Sequence, residues 1–119
     1  MRFLAILRYF ALFAIALSVM APLAHAMNDE WTSTAANGET EVHLYLFWSL
    51  NCPHCLEARP QIQALAAENT WLRLHDFEIS QSAANREHFV VMAATLGEEA
   101  QAVPTLFYCG RLSVGWDDS

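Results

Sequence analysis

An α/β domain, with a mixed four-stranded sheet and flanking helices, is the fold class that the sequence predicts. Three observations predict it. Residues 42–48 form a dense run of apolar, branched and aromatic side chains, which reads as a buried central strand. Two helical segments follow, near 52–69 and 83–96, separated by a strand-like stretch at 71–79. Gly110-Arg111 then gives a tight two-residue connection between two short apolar runs, which predicts a hairpin. The order is strand, helix, strand, helix, strand, strand. The first strand–helix–strand is expected to be a right-handed parallel unit.

The elements follow in chain order. Residues 1–26 read as a secretory leader. Arg2 and Arg8 supply its positive front, 9–21 its apolar run, Pro22 a helix break, and Ala24-His25-Ala26 the cleavage site. The apolar run falls short of the roughly 20 residues that span a bilayer. The alternative is an uncleaved anchor. Residues 27–40, with Asn28, Ser33, Asn37 and Gly38, have little apolar periodicity and read as a flexible lead-in to a domain at 41–119. After the central strand, Ser49-Leu50-Asn51 makes a turn and a helix starts near Cys52. Ile62, Leu65 and Ala66 continue its apolar face, and Glu68-Asn69 closes it. Pro60 lies inside this helix, where it removes a backbone donor. Phe89, Met92, Ala93 and Leu96 lie at i, i+3, i+4 and i+7 in the second helix, and Gly97 is a fitting stop. Residues 103–109 and 112–116 complete the sheet.

Charge narrows the partners. There is no lysine, and beyond residue 26 the cations are Arg59, Arg73, Arg86 and Arg111. All thirteen carboxylates also lie beyond residue 26, so a cleaved chain carries a formal charge of −9. Such a surface disfavours nucleic acid and anionic lipid, and no stable membrane insertion is expected after cleavage. The whole-chain hydrophobic content of 55% is raised by the leader and does not indicate a membrane domain. Export to the periplasm, or to another extracytoplasmic space, would place the chain where disulfides persist. Three cysteines, two of them in a tight pair, are not the framework of a disulfide-stapled miniprotein.

The pair is Cys52-Pro53-His54-Cys55, set between a buried strand and a helix. The thiolate is the form that attacks a disulfide. A cysteine at a helix N-terminus faces unpaired N–H groups and the positive end of the helix dipole, both of which favour the anion. Pro53 suits the first helical position, where its missing N–H is no loss. His54, when protonated, would add positive charge beside Cys52. Cys55, about one turn on, can close a disulfide back to Cys52. A purely structural disulfide here would be a weak staple of about 2 kcal/mol. Metal binding is the stronger rival, because Cys52, His54 and Cys55 are all possible zinc or copper ligands. A structural zinc site wants four ligands, however, and no second pair of ligands follows.

These residues resemble the thioredoxin superfamily from about residue 42 to residue 116. Phe47-Trp48 precedes the two cysteines as in thioredoxins, and Pro60 falls where their active-site helix carries a proline. Val103-Pro104-Thr105 resembles the family's cis-proline signature. The Cys-Pro-His-Cys sequence and the valine before the proline are similar to the bacterial periplasmic disulfide-forming oxidases. Residues 85–97 are similar to a smaller set of bacterial thioredoxin-like proteins.

The resemblance implies a thioredoxin-like fold and thiol–disulfide exchange with protein substrates and a redox partner protein, without a cofactor. Cys52 would attack and Cys55 resolve. Pro104 would be cis and lie opposite the cysteines, and Val103 would offer backbone groups to an extended substrate. Trp48, beside the motif, is either core or substrate platform.

The chain departs from the family in three places. Thioredoxins bury an acidic residue two positions before Trp48, where this chain has Leu46, so resolution would be slow or would use Glu57, His43 or water. Asn51 replaces the tryptophan before the first cysteine. The family's last helix is not found before Ser119, so either the domain lacks that helix or the sequence is a fragment of something longer, and one sheet face would then be poorly covered. Two further readings therefore stand beside the oxidoreductase. One is an exported copper- or zinc-handling thiol protein. The other is a thioredoxin-like domain of a larger membrane protein. Cys109 reads as a small buried hydrophobe, and His43, His75 and His88 as packed or solvated histidines.

Overall fold

The computed structural model describes residues 30–117. The leader expected at 1–26, with its cleavage site, lies outside the described residues. Five strands and two helices follow one another: β1 (Thr32–Thr34), β2 (Thr40–Trp48), α1 (Pro53–Glu68), β3 (Leu72–Glu78), α2 (Ala83–Thr95), β4 (Thr105–Tyr108) and β5 (Arg111–Val114).

The sheet is built on β2. Along one edge β3 runs parallel to it, from Val42 opposite Leu72 to Trp48 opposite Glu78. A parallel partner needs a crossover, and α1 supplies it. Two antiparallel strands share the other edge. β1 pairs with the start of β2, Thr32 opposite Val42, and β4 pairs further along, Tyr45 opposite Phe107. β5 closes the order as a hairpin partner of β4. The chain is therefore an α/β protein with a mixed sheet, of five strands rather than the four expected. The extra strand is β1, inside the stretch 27–40 that composition marks as a flexible lead-in. Thr32, Ser33 and Thr34 carry no apolar signal; they become a strand only because Thr40–Val42 folds back beside them.

Alternation along β2 divides the core in two. Leu44, Leu46 and Trp48 face α1 and pack with Cys55, Ala58, Ile62 and Leu106. Phe47 faces α2 and packs with Phe89, Met92, Ala93 and Phe107. A strand buried on both faces is what its continuous apolar sequence requires.

Both helices begin and end on chemistry visible in the chain. Cys52 is the N-cap of α1 and Pro53 its first residue, while Asn69 is the C-cap. Ser82 caps α2, its hydroxyl accepting the N–H of Asn85 at 3.2 Å. At the far end Glu98 N–H reaches Ala93 C=O and Gly97 N–H reaches Ala94 C=O, with Gly97 at φ +72°. That is the Schellman pattern, and the left-handed φ explains the glycine.

Three expectations are corrected. The hairpin turn is Cys109-Gly110, not Gly110-Arg111, since Tyr108 pairs with Arg111. Both turn residues have positive φ, +50° and +71°, as a twisted two-residue hairpin demands. Cys109 is therefore an exposed turn residue and not a buried hydrophobe. Leu65 is not part of the covered helix face; it is 41% exposed. With Leu44, Leu72, the half-exposed Trp71 and Trp116 it lines a groove of about 540 Å³ on the α1 side of the sheet.

Candidate functional site

Three backbone donors fix the turn that leads into Cys52. Leu50 N–H donates to a Glu78 carboxylate oxygen at 3.1 Å. Asn51 N–H donates to Ser49 Oγ at 3.1 Å. Cys52 N–H donates to Ser49 C=O at 3.1 Å and closes the turn. The turn delivers Cys52 to the N-cap with extended backbone, φ −109° and ψ 109°. Its Sγ then accepts the N–H of Cys55 at 3.2 Å, in the role that a serine or aspartate oxygen usually takes. The Cys52 thiol also lies 3.6 Å from the carbonyl oxygen of Val103, to which it donates. The Val103–Pro104 peptide bond is cis. Cys52, Cys55, Val103 and Pro104 are thus gathered at one end of β2.

The two cysteines differ in exposure. Cys52 is half-buried, and Cys55 is fully buried among Leu46, Trp48, Ala58 and Ile62. Burial first, and the adjacent Cys52 side chain second, push the Cys55 thiol up to about 12. All three cysteines are free thiols. Pro53 and His54 are exposed on the first turn of α1. Leu50 and Leu56 are exposed as well, so the surface around Cys52 has an apolar rim.

Trp48 is held rather than presented. It is only 6% exposed, and its indole N–H donates to Asp76. Asp76 also accepts Arg59 Nε at 2.9 Å and Gln63 Nε2 at 3.2 Å. The Arg59 guanidinium lies 4.2 Å from the centroid of the Trp48 ring. Sequence reasoning passed over Asp76. The signal was its place after Leu72 and Leu74 on the core-facing side of β3, where a carboxylate must find donors. It stands directly opposite Leu46.

Glu78 was missed too. Its carboxylate accepts Leu50 N–H, Ser80 N–H at 2.8 Å, the Ser80 hydroxyl, and Gln81 N–H at 2.8 Å. Desolvation pushes this carboxyl up, but the Ser80 hydroxyl and the N–H groups of Gln81, Leu50 and Ser80 together hold it down at about 2. Its contribution to stability is therefore present above the ordinary carboxyl value of about 4.5 and is lost as pH falls toward 2.

The histidines lie elsewhere. His43 and His75 are on the α2 side of the sheet, with ring planes within 9° and Nδ1 of His43 2.6 Å from Nε2 of His75. Ser33 Oγ lies 2.8 Å from the other nitrogen of His43. Desolvation first, then the charges of His43, Arg73 and His88, push His75 down. His43 cannot serve Cys55 as a proton carrier, because Cys55 packs on the opposite face. His88 meets Phe77 edge-on at 4.7 Å. Among the described residues no group of three or more His, Cys, Asp or Glu side chains is placed to hold a metal ion.

Comparison of the chain with protein-family models, curated proteins and solved structures returns no match.

Proposed function

We propose that the chain is an exported, thioredoxin-like thiol–disulfide oxidoreductase acting on protein thiols and disulfides through Cys52 and Cys55. The observation that carries this reading is the asymmetry of the pair: half-buried Cys52 caps the helix with its sulfur, and Cys55 lies fully buried one turn behind it. The sequence resemblance supports the same roles, and the leader-like residues 1–26 support export to the periplasm.

The exchange balances in two steps. Cys52 thiolate attacks one sulfur of a substrate disulfide; an S–S bond forms to Cys52, and the substrate's other sulfur leaves as thiolate. Cys55, after losing its proton, attacks Cys52 Sγ and releases the second substrate sulfur. The protein dithiol is oxidised by two electrons and the substrate disulfide is reduced. Run backwards, the same steps oxidise a substrate dithiol. Val103 C=O, beside Cys52, is the backbone group available to an extended substrate strand.

Titration against glutathione redox buffers tests the reading. A reversible two-electron couple joining Cys52 to Cys55 is expected. Failure to form this disulfide, together with stoichiometric Cu(I) or zinc uptake that blocks both thiols, would replace it with the metal-handling reading. His54 supplies a second test. A charged or hydrogen-bonding imidazole there stabilises thiolate and hence the reduced form, so His54→Ala should lower the reduction potential. The scale is about 30 mV per 1.4 kcal/mol. Because His54 is exposed, solvent screens it and the shift should be modest. An unchanged potential with a large loss of metal affinity would assign His54 to metal binding instead.

A further inference from the structure

We infer that Glu78, the last residue of β3, is the positioning residue for Cys52: its carboxylate spans two loops and holds the turn that sets the thiol on the helix cap. The inference rests on the reading of Cys52 as the nucleophile. Three of the four bonds to the carboxylate are local, from Ser80 and Gln81. The fourth is not. Leu50 is 28 residues away in sequence and two residues before Cys52.

Removing that bond frees the turn selectively. β3 and the start of its following loop are tied to β2 without the carboxylate, through Ile79 N–H on Trp48 C=O at 2.9 Å. The rest of the loop is held by Asn85 on Glu78 C=O at 2.8 Å and by Arg86 on Ile79 C=O at 2.7 Å. Of the N–H groups of Leu50, Asn51 and Cys52, the last two bond within the turn itself, to Ser49. The bond from Leu50 N–H is the one that fastens the turn to the end of β3. Without Glu78 the turn would lose its tie to β3 and keep only its internal bonds to Ser49 and the contacts of Cys52 itself. The cap geometry would loosen at the atom that must meet an incoming disulfide in line. Displacing a reacting group by about 1 Å is enough to slow a reaction markedly.

The acceptor and the charge are separable. Glu78→Gln keeps an oxygen for Leu50 and Ser80 and removes the charge. Glu78→Asp keeps the charge but is one methylene short of spanning both loops. Glu78→Ala removes both. The reduced proteins are treated with iodoacetamide at a temperature where each is folded, and labelling of Cys52 is followed by peptide mass spectrometry. The reduction potential is measured alongside. Glu78→Ala and Glu78→Asp are expected to alkylate Cys52 on the order of tenfold more slowly or faster than the parent, with an altered potential. Glu78→Gln should stay near the parent in both. If Glu78→Ala does not fold, the Asp and Gln variants decide alone. Parent-like alkylation and potential in Glu78→Ala or Glu78→Asp would overturn the inference, even with a lowered melting temperature. So would a Gln variant as impaired as the Ala or Asp variant, since charge would then be the cause. If the parent itself forms no reversible Cys52–Cys55 disulfide, the proposed function fails. Alkylation of Cys52 still tests the role of Glu78 in that case.

Discussion

Alkylation of the reduced protein at neutral pH is expected to label Cys52 and to leave Cys55 unmodified on the same timescale. Thiolate is the reacting species. A thiol held at about 12 instead of near 9 carries on the order of a thousandfold fewer thiolates at neutral pH. Cys55 is also fully buried, so reagent must wait for the chain to open. Cys109 stands exposed on the β4–β5 turn and will react as a surface thiol, so the labelled sites must be separated by peptide mapping. In denaturant the three cysteines should react alike. Comparable labelling of Cys52 and Cys55 in the folded protein would remove the distinction between attacking and resolving thiols.

The same burial has a consequence for stability, with a definite sign. The Cys55 thiol is raised in the folded protein above its ordinary value near 9. It therefore favours folding fully below about 9, and that contribution is lost as pH rises toward 12. Denaturation midpoints measured across this range should fall more steeply for the parent than for Cys55→Ala. In the proposed exchange the burial that raises Cys55 would make its proton loss the demanding part of resolution, so mixed disulfides on Cys52 are expected to be long-lived.

How much of this could be read from the chain depends on whether the signal was local. The start of α1 was legible because Cys52 and Pro53 carry their own cap and first-turn chemistry. The end of α2 was legible because only a residue free to adopt positive φ, Gly97, closes a Schellman turn without strain. β1 was not legible, since three polar residues become a strand only through pairing with Thr40–Val42. The hairpin was found, with its turn one residue late. Gly110 drew attention, whereas Cys109 also adopts positive φ and precedes it. Leu65 fits the helical period of Ile62, yet period says nothing about whether a neighbour arrives to cover it.

The site divides along the same line. Cys52, Cys55, Pro53 and His54 are contiguous and stood out at once. Val103 and Pro104 entered through the resemblance, and Cys52 does lie against the Val103 carbonyl. Asp76 and Glu78 did not stand out, because each acts on a segment far away in sequence. Asp76 binds Arg59 and the Trp48 indole, and Glu78 binds Leu50. Only the register of β3 against β2, Leu46 opposite Asp76 and Trp48 opposite Glu78, brings those partners into range. One-residue slippage of that register would turn both carboxylates to the α2 face.

Phe47→Ala is expected to remove most of the protein's stability. Phe47 is fully buried at the centre of the α2-facing core. Its ring stacks on Phe77 at 5.0 Å and on Phe89 at 4.9 Å, and meets Phe107 edge-on at 5.6 Å. Truncation therefore takes a partner from these three rings and from His88, edge-on at 5.4 Å, joining β2, β3, α2 and β4. It also leaves a cavity that rigid strands cannot close. Large-to-small changes of this kind cost about 3–5 kcal/mol, against a total of about 5–15 kcal/mol for a typical domain. At roughly 4–8 °C per kcal/mol for a domain of this size, the melting temperature should fall by roughly 10–40 °C. Val90→Ala is the matched control: Val90 is on the same helix as Phe89 but 57% exposed, and its loss should cost no more than about 0.5 kcal/mol. Equilibrium unfolding in urea measures both. A Phe47→Ala loss no larger than that of Val90→Ala would mean that the two-sided burial of β2 is not what holds the sheet and α2 together.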